Sequence, residues 1–248
     1  MARRKTYLQN AALLTVCGLV LRVLGMGFRV VLSAYLGSEG MGLYQLILAV
    51  YMVFVSLATA GINVASARLA AQSLARGRGM AATLHDLCGT ALLFGCMAMM
   101  LQVLLAEPAA RFLLHDTRAI LALQILAPSL PFMAAAGAVR GCFLAARRVH
   151  PNVIAQLIEQ LVRMAIAIAA LRALARWGAG YGCAAVVLGN TISEGVSCTL
   201  MFAFAAKTPE FARRRDEPLQ PYTQKELYAI VLPVEGSRLL ASGLQAVE

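Results

Sequence analysis

Two arginines, Arg22 and Arg29, lie within an apolar stretch, residues 11–36, that is long enough to cross a bilayer. Seven residues at about 100° each return to nearly the same side of a helix, so both arginines share one face with Gly18 and Gly25, about 10 Å apart along the axis. An arginine at the centre of a span costs about 2.5 kcal/mol or more. We therefore expect this face to line a water-filled cavity that receives an anion. The alternative is that both arginines neutralise acids on neighbouring helices.

A second polar group is predicted on the fifth apolar stretch. Glu159 and Arg163 are four residues apart with the acid on the N-terminal side, which is the favourable order for an ion pair on a helix. Gln156 and Gln160 extend this stripe. Either the pair neutralises itself so that the helix can enter the membrane, or it shapes an arginine-lined cavity or titrates in a functional cycle. Arg140, near the end of the fourth stretch, is expected to extend its side chain to the membrane interface.

A third polar group is predicted on the sixth apolar stretch. Asn190, Glu194 and Ser197 follow i, i+4, i+7 spacing and therefore share one helix face. Glu194 has no basic residue within one turn, so it needs a partner on another helix or a proton. Arg22 or Arg29 are the expected partners. A proton or cation site at Glu194 is the alternative.

The composition is that of a membrane protein. The chain has 248 residues, of which 60% are hydrophobic and 14% charged, and its mean hydropathy is +0.72. Apolar runs of spanning length recur along it, and the polar backbone groups of such runs must be satisfied within helices. We predict an all-α fold, a polytopic transmembrane helix bundle. The net charge of +10 is spread over the loops beside the spans, which favours orientation signals over nucleic-acid binding.

No sequence pattern for catalysis or cofactor binding is found. The chain has no nucleophile elbow, phosphate-binding glycine loop, zinc-binding helix motif or paired catalytic carboxylates. The cysteines lack paired spacing and the histidines lack ligand-like spacing, so neither a disulfide framework nor a metal site is predicted. We expect no cofactor, no bound metal and no enzymatic activity.

Six apolar spans are predicted, and they cover residues 11–36, 43–67, 84–106, 119–146, 153–174 and 183–206. A tight glycine-rich turn is predicted over residues 37–42, and Pro128 and Pro131 are expected to bend or interrupt the fourth span. Lysine and arginine are concentrated in the N-terminal lead and in the loops after even-numbered spans. By the positive-inside rule, this pattern predicts a cytoplasmic N-terminus.

An internal repeat predicts a second, related half. With an offset of 216 residues, Arg22 aligns with Arg238, and the neighbouring leucine and glycine positions also match. An even number of spans between two copies gives them the same orientation, as the parallel halves of a transporter require. We expect residues 1–206 to form a six-helix N-terminal lobe, residues 207–225 a charged cytoplasmic loop, and residues 226–248 the first helix of a second, truncated lobe.

Four separated segments carry a family resemblance, and they read LRVLGMGFRVVLSAYLGSEGMGLYQL, TAGINVASARLAA, AVRGCFLAARRVHPNVIAQLIEQLVR and LPVEGSRLLASGLQAVE. Over essentially its whole length the chain resembles the polysaccharide-exporter branch of the multidrug, oligosaccharidyl-lipid and polysaccharide flippase superfamily. The resemblance implies two helix bundles around a central cavity that opens alternately to either side of the bacterial cytoplasmic membrane. It implies a polyprenyl-linked sugar as cargo. In lipid II flippases a similar R-V-L-G context holds cavity arginines, and this resemblance points to Arg22. The interval between Arg22 and Arg29 differs by one residue from the interval between two arginines that the family pattern implies.

The leading hypothesis is a flippase for a lipid-linked oligosaccharide or cell-wall precursor. The expected substrate-binding residues are Arg22, Arg29, Glu159, Arg163, Asn190, Glu194 and Arg238. The carrier pyrophosphate would bind Arg22 and Arg29, because a guanidinium matches phosphate oxygens bidentately. The expected partners are the lipid-linked sugar, membrane lipids, and cell-wall or spore-envelope biosynthesis proteins. Two alternatives stay open: a cation-coupled multidrug exporter on the same fold, and a non-transporting membrane scaffold for cell-wall assembly.

Overall fold

The fold is a bundle of long apolar helices. A computed structural model describes residues 2–75, 80–174 and 178–211, and within these ranges it contains no strand. The helices are α1 (Ala2–Ala75), α2 (Met80–Pro108), α3 (Ala119–Leu126), α4 (Ser129–Ala145), α5 (His150–Leu174) and α6 (Ala179–Lys207). Five described segments are long and apolar enough to cross a membrane, and α3 and α4 together make one of them. The chain is therefore a multi-pass membrane protein.

Helix α1 is interrupted at Gly37. This residue has φ 67° and ψ −173°, a non-helical conformation that essentially only glycine adopts. We call residues 2–36 α1a and residues 38–75 α1b. The glycine-rich turn predicted over residues 37–42 is thus reduced to Gly37, because residues 38–42 are already helical. Both segments contribute to one apolar cluster, with Leu32 on one side of the interruption and Tyr44 on the other.

The prolines interrupt the fourth span as predicted. Helix α3 ends at Leu126 and α4 begins at Ser129, with Pro128 at the N-cap position of α4. Pro131 lies in the first turn of α4, where a missing N–H removes no intrahelical hydrogen bond. Upstream, α2 passes into a π-helical turn at Ala109–Leu113.

Glycines allow α4 to pack closely against α1b. A Cβ atom built at Gly137 would lie 2.5 Å from Asn63 Oδ1, and one at Gly141 would lie 2.5 Å from Ser66 Cβ. Gly137 and Gly141 are four residues apart and therefore form the small-residue stripe by which membrane helices approach one another. Arg140 lies between them on the chain, so its backbone is held by this contact.

A salt-bridge cluster joins the turn at Gly37 to the loop before α3. Arg118 pairs with Glu39 at 2.7 Å and with Asp116 at 2.8 Å, and Glu39 is exposed whereas Asp116 is partly buried. The stem of Arg118 lies over Gly180 at the start of α6, 3.1 Å from where a Cβ would be. Three separate parts of the chain therefore meet at this end of the bundle.

Two predicted segments fall wholly or mostly outside the described residues. The charged loop over residues 207–225 is described only through Phe211, where Pro209–Phe211 forms a 3-10 turn after α6. The predicted helix over residues 226–248, which contains Arg238, lies outside the described residues entirely. The domain division, the inter-lobe loop and the seventh helix stay predictions.

Candidate functional site

Four charged side chains from α4, α5 and α6 form one ionic network. Arg140 Nη2 lies 2.8 Å from Glu159 Oε2, and Arg163 Nη2 lies 2.6 Å from Glu159 Oε1. Arg163 also pairs with Glu194 Oε1 at a longer distance of 3.4 Å. Arg140 donates a further hydrogen bond to Ser197 Oγ at 2.7 Å. We call Arg140, Glu159, Arg163 and Glu194 the four-charge network.

Close packing of α5 on α6 positions two members of the network. A Cβ atom at Gly189 would lie 2.9 Å from the carbonyl oxygen of Arg163 and 2.9 Å from the amide nitrogen of Ala167. Main-chain contact at this point brings Arg163 to the face that carries Ser193 and Glu194. Arg163 Nη1 also donates to Gln160 Oε1 at 3.1 Å, one turn back on the same helix. The arginine is therefore supported from both helices.

The network lies at membrane depth. Glu159 is nine residues into α5, about 14 Å from its first residue, and Arg140 is about 8 Å from the end of α4. The acids are the more enclosed partners, because the side chain of Glu194 is 2% exposed and that of Glu159 is 12% exposed. Arg140 and Arg163 keep 22% and 24% of their side-chain surface exposed. The arginines are thus the part of the network that ligands can reach.

The structure changes one predicted partnership and confirms another. Glu194 pairs with Arg163 of α5, not with Arg22 or Arg29 of α1a as expected. The expectation failed because periodicity places Glu194 on a helix face but does not say which neighbouring helix that face meets. The predicted pair of Glu159 with Arg163 is confirmed.

The interface role predicted for Arg140 is wrong. Its guanidinium is directed to Glu159 and Ser197 at membrane depth instead of extending to the interface. The signal that could have identified it is a charge count: Glu159 and Glu194 are two acids, while the fifth and sixth spans supply only Arg163 at the same depth. A second cation was required from another helix, and Arg140 is the nearest arginine that lies within another predicted span.

Arg22 and Arg29 are exposed on α1a. Within the described residues, no carboxylate lies within ion-pair distance of either guanidinium. Their shared face is open, because a Cβ atom built at Gly18 or Gly25 would have no neighbouring atom within 4 Å. The alternative in which both arginines neutralise acids of adjacent helices is therefore not what the described part of the chain shows.

Tyrosines of α1b connect these two groups of charges. Tyr44 belongs to an apolar cluster with Phe28 and Met164, the chain neighbours of Arg29 and Arg163. Two turns further along the same face of α1b, Tyr51 shares a 2.6 Å hydrogen bond with Ser129 and interacts with Asn190. Asn190 thus faces the bundle interior near the network, as its spacing with Glu194 predicted.

Two buried atoms of the network have no hydrogen-bond partner. They are Glu194 Oε2 and Arg140 Nε. A buried acceptor without a donor is an attractive point for a proton, a cation or water, and a buried guanidinium N–H attracts an anion or water. The arrangement can therefore interact with cargo of either sign, depending on how its own charges balance.

Comparison with known proteins gives a consistent assignment. Residues 7–230 match the profile of the polysaccharide biosynthesis protein family. Among curated proteins, the chain is 27% identical to stage V sporulation protein B of Bacillus subtilis (strain 168), with 96% of this chain and 47% of that protein covered. The chain therefore spans about half the length of this relative.

Solved structures of transporters share the fold. An outward-facing multidrug resistance MATE family transporter of the MOP superfamily superposes with a TM-score of 0.69 at 16% identity, covering 93% of this chain and 52% of that one. An inward-facing conformation of such a transporter gives a TM-score of 0.63 at 15% identity, covering 90% of this chain and 50% of that one. At this level of identity the likeness concerns the fold alone.

Proposed function

The chain belongs to the polysaccharide biosynthesis protein family, and we propose that it forms one half of an alternating-access flippase. The cargo is a polyprenyl-linked oligosaccharide or cell-wall polysaccharide precursor, and the membrane is the bacterial cytoplasmic membrane with the N-terminus on the cytoplasmic side. The role is transport and not catalysis. Residues 1–206 are the N-terminal lobe, and Arg238 occupies the position in the second lobe that Arg22 occupies in the first.

The observation that carries this proposal is the state of Arg22 and Arg29. Each is exposed at a position where an uncompensated arginine costs about 2.5 kcal/mol or more, and no acid of the described residues pairs with either. Such side chains are tolerated where they face water or an anion. A pyrophosphate carries the charge and the oxygen geometry that two guanidinium groups bind best. The lipid tail of the carrier would stay in the bilayer.

The four-charge network supports this assignment because it pairs the intramembrane acids with arginines other than Arg22 and Arg29. Glu159 and Glu194 are paired with Arg140 and Arg163, so they are not available to neutralise Arg22 and Arg29. We assign Glu159, Arg163, Asn190 and Glu194 to the wall of the cavity. The pyrophosphate itself is assigned to α1a.

A binding measurement tests the proposal. The 248-residue protein is reconstituted in lipid nanodiscs, and binding of undecaprenyl pyrophosphate is compared with binding of uncharged undecaprenol. We expect the protein to prefer the pyrophosphate, and Arg22→Ala and Arg29→Ala each to weaken that binding by about tenfold, the value of one charge-assisted contact. The control is Arg111→Ala, which removes an exposed arginine in the π-helical turn that follows α2. Equal binding by the wild type, Arg22→Ala and Arg29→Ala would reject the assignment.

A cation exporter is the second candidate, and one observation favours it. Glu194 Oε2 is buried without a donor and could receive a proton or a cationic group. In that case the wild-type protein should bind a lipophilic cation such as tetraphenylphosphonium, and Glu194→Gln should abolish that binding. The first candidate predicts weak cation binding in the wild type.

A further inference from the structure

The four-charge network is formally neutral because it contains Arg140. Two acids, Glu159 and Glu194, face two arginines. Glu159 divides its oxygens between them, giving Oε2 to Arg140 and Oε1 to Arg163. Glu194 receives only the longer contact at 3.4 Å from Arg163. Arg163 therefore serves both acids, and Arg140 supplies the second positive charge.

Removal of Arg140 would leave the network with one carboxylate too many, and this excess charge persists at an alkaline pH, where a buried acid does not take up a proton. Arg163 alone would face two carboxylates whose side chains are 12% and 2% exposed. Carboxylates that are so enclosed gain little solvation from water, so the excess charge acts on its surroundings more strongly than a surface charge would. With both acids ionised, a neutral network would become one with a charge of −1.

The changed charge would act on the region assigned to the cargo. Phe28 and Met164, the chain neighbours of Arg29 and Arg163, belong to one apolar cluster with Tyr44, so both arginines lie next to the same contact between α1a and α5. A negative network beside Arg29 would lower its attraction for phosphate. The same charge would attract a cation, for which Glu194 Oε2 already offers a free acceptor.

We propose that Arg140 is a specificity-determining residue that sets the sign of the cargo. By neutralising Glu159 it keeps the cavity receptive to anionic, phosphate-bearing lipids, and its loss converts the cavity to one that favours organic cations. This inference rests on the proposed function for the identity of the anionic cargo. Specificity here is a difference between two affinities, and one residue shifts both in opposite directions.

The test measures two ligands in parallel on the 248-residue protein in nanodiscs at an alkaline pH, where both acids of the network are ionised. Undecaprenyl pyrophosphate is the anionic probe and tetraphenylphosphonium is the cationic probe. For Arg140→Gln we expect the ratio of anion to cation affinity to fall by on the order of tenfold or more. This is the effect of changing one unit charge in a partly buried environment. A scaffold role alone would weaken both ligands together.

Charge restoration gives the decisive comparison. The double variant Arg140→Gln/Glu159→Gln leaves one arginine, Arg163, facing one acid, Glu194. The net charge of the network is then zero again, although the double variant removes more of the network than the single variant does. We expect it to recover the preference for the anion. If the double variant is as defective as Arg140→Gln, the network acts through packing and the inference is wrong.

A variant of opposite sign covers the case in which Arg140→Gln does not fold. Glu194→Gln gives the network a charge of +1 while Arg140 stays in place, and we expect it to bind the pyrophosphate lipid several-fold more tightly than the wild type. Unchanged affinity in folded Glu194→Gln would overturn the inference. Failure of the wild type to bind the anion would instead reject the proposed function, and the change in tetraphenylphosphonium affinity between the wild type and Arg140→Gln would then still report on Arg140.

Discussion

The guanidinium of Arg140 and the carboxylate of Glu159 lie 2.8 Å apart across the contact between α4 and α5, although the residues are 19 positions apart in the chain. Helix α5 packs extensively against α6 and at few positions against α4. This ion pair is therefore one of the few links between α4 and α5. It joins the glycine-packed unit of α1b and α4 to the unit of α5 and α6.

Neutralising Glu159 should destabilise the protein strongly. Glu159→Gln leaves Arg140 and Arg163 to share the carboxylate of Glu194, which contacts only Arg163. Breaking a buried ion pair by removing one partner costs about 3 kcal/mol or more. The expected result is a fall of about this size in the free energy of unfolding, measured by SDS titration of the purified protein in mixed micelles.

The control for that variant is Glu107→Gln. Glu107 pairs with Arg111 at 2.7 Å in the same i, i+4 geometry as Glu159 with Arg163, but both side chains are 59% exposed. Exposed pairs contribute roughly 1 kcal/mol or less. Equal losses in the two variants would contradict the assignment of Glu159 to an enclosed network.

Filling the contact between α4 and α1b should also destabilise the bundle. In Gly141→Val the new Cβ would lie 2.5 Å from Ser66 Cβ and 3.0 Å from the amide nitrogen of Ala67, and a backbone atom cannot move aside by rotation. Overpacking of this kind costs about 1–3 kcal/mol. Gly89→Ala on α2 is the control, because no atom lies within 4 Å of its Cβ position. The same SDS titration should show a loss for Gly141→Val and no loss for Gly89→Ala.

The interruption of α1 should depend on the glycine at its centre. Gly37→Ala places a Cβ on a residue with φ 67° and ψ −173°, where the strain is conformational because no atom lies within 4 Å. We expect the free energy of unfolding to fall by about 1–3 kcal/mol. Gly42→Ala, five residues on and within α1b, has equal space and ordinary helical geometry, so it should be neutral or slightly stabilising. A loss confined to Gly42→Ala would show that the chain turns elsewhere.

Acid should weaken the salt-bridge cluster of Arg118. Hydrogen bonds from Arg118 hold the pKa of Asp116 below its ordinary value of 3.8. Because the folded-state pKa is the lower one, ionised Asp116 stabilises the folded state fully above the ordinary value, and this contribution is lost as the pH falls through the folded-state pKa. We expect the difference in unfolding free energy between wild type and Asp116→Asn to be constant near neutral pH and to shrink below about pH 4.

The measurement is the unfolding free energy of both proteins across that pH range. Since Asp116 is outside the membrane-spanning helices and its partner Arg118 is 47% exposed, the effect is expected to be small and to weaken further with added salt. A difference that grows as the pH falls would contradict the sign of the effect.

Most of the architecture could be predicted from the sequence. Apolar runs of spanning length predicted the helical membrane bundle, Pro128 predicted the interruption between α3 and α4, and Gly37 lies at the predicted turn. These features depend on local composition, and membranes make local composition decisive. The pair of Glu159 and Arg163 was predictable for the same reason, because both partners lie on one helix.

The ion pairs between residues of different helices could not be predicted in the same way. Periodicity placed Glu194 and Arg140 on helix faces, but which faces meet depends on packing between helices. Here that packing is decided by small residues, Gly189 against the backbone of α5 and Gly141 against α1b. Glycines of this kind have no hydrophobic signal in a sequence that is apolar throughout, so the approach of Arg140 to Glu159 was not visible.

The two gaps between helices that the network crosses are set by different kinds of atoms. At Gly189 the distance between α5 and α6 is set by main-chain atoms, which lie 2.9 Å from the glycine's Cβ position. Substitutions of side chains elsewhere therefore do not adjust the gap that Arg163 crosses to reach Glu194. The gap between α4 and α5 is spanned instead by the full length of the arginine at position 140. A shorter cation there would keep its charge and still fall short, which makes that gap the one that sequence variation can adjust.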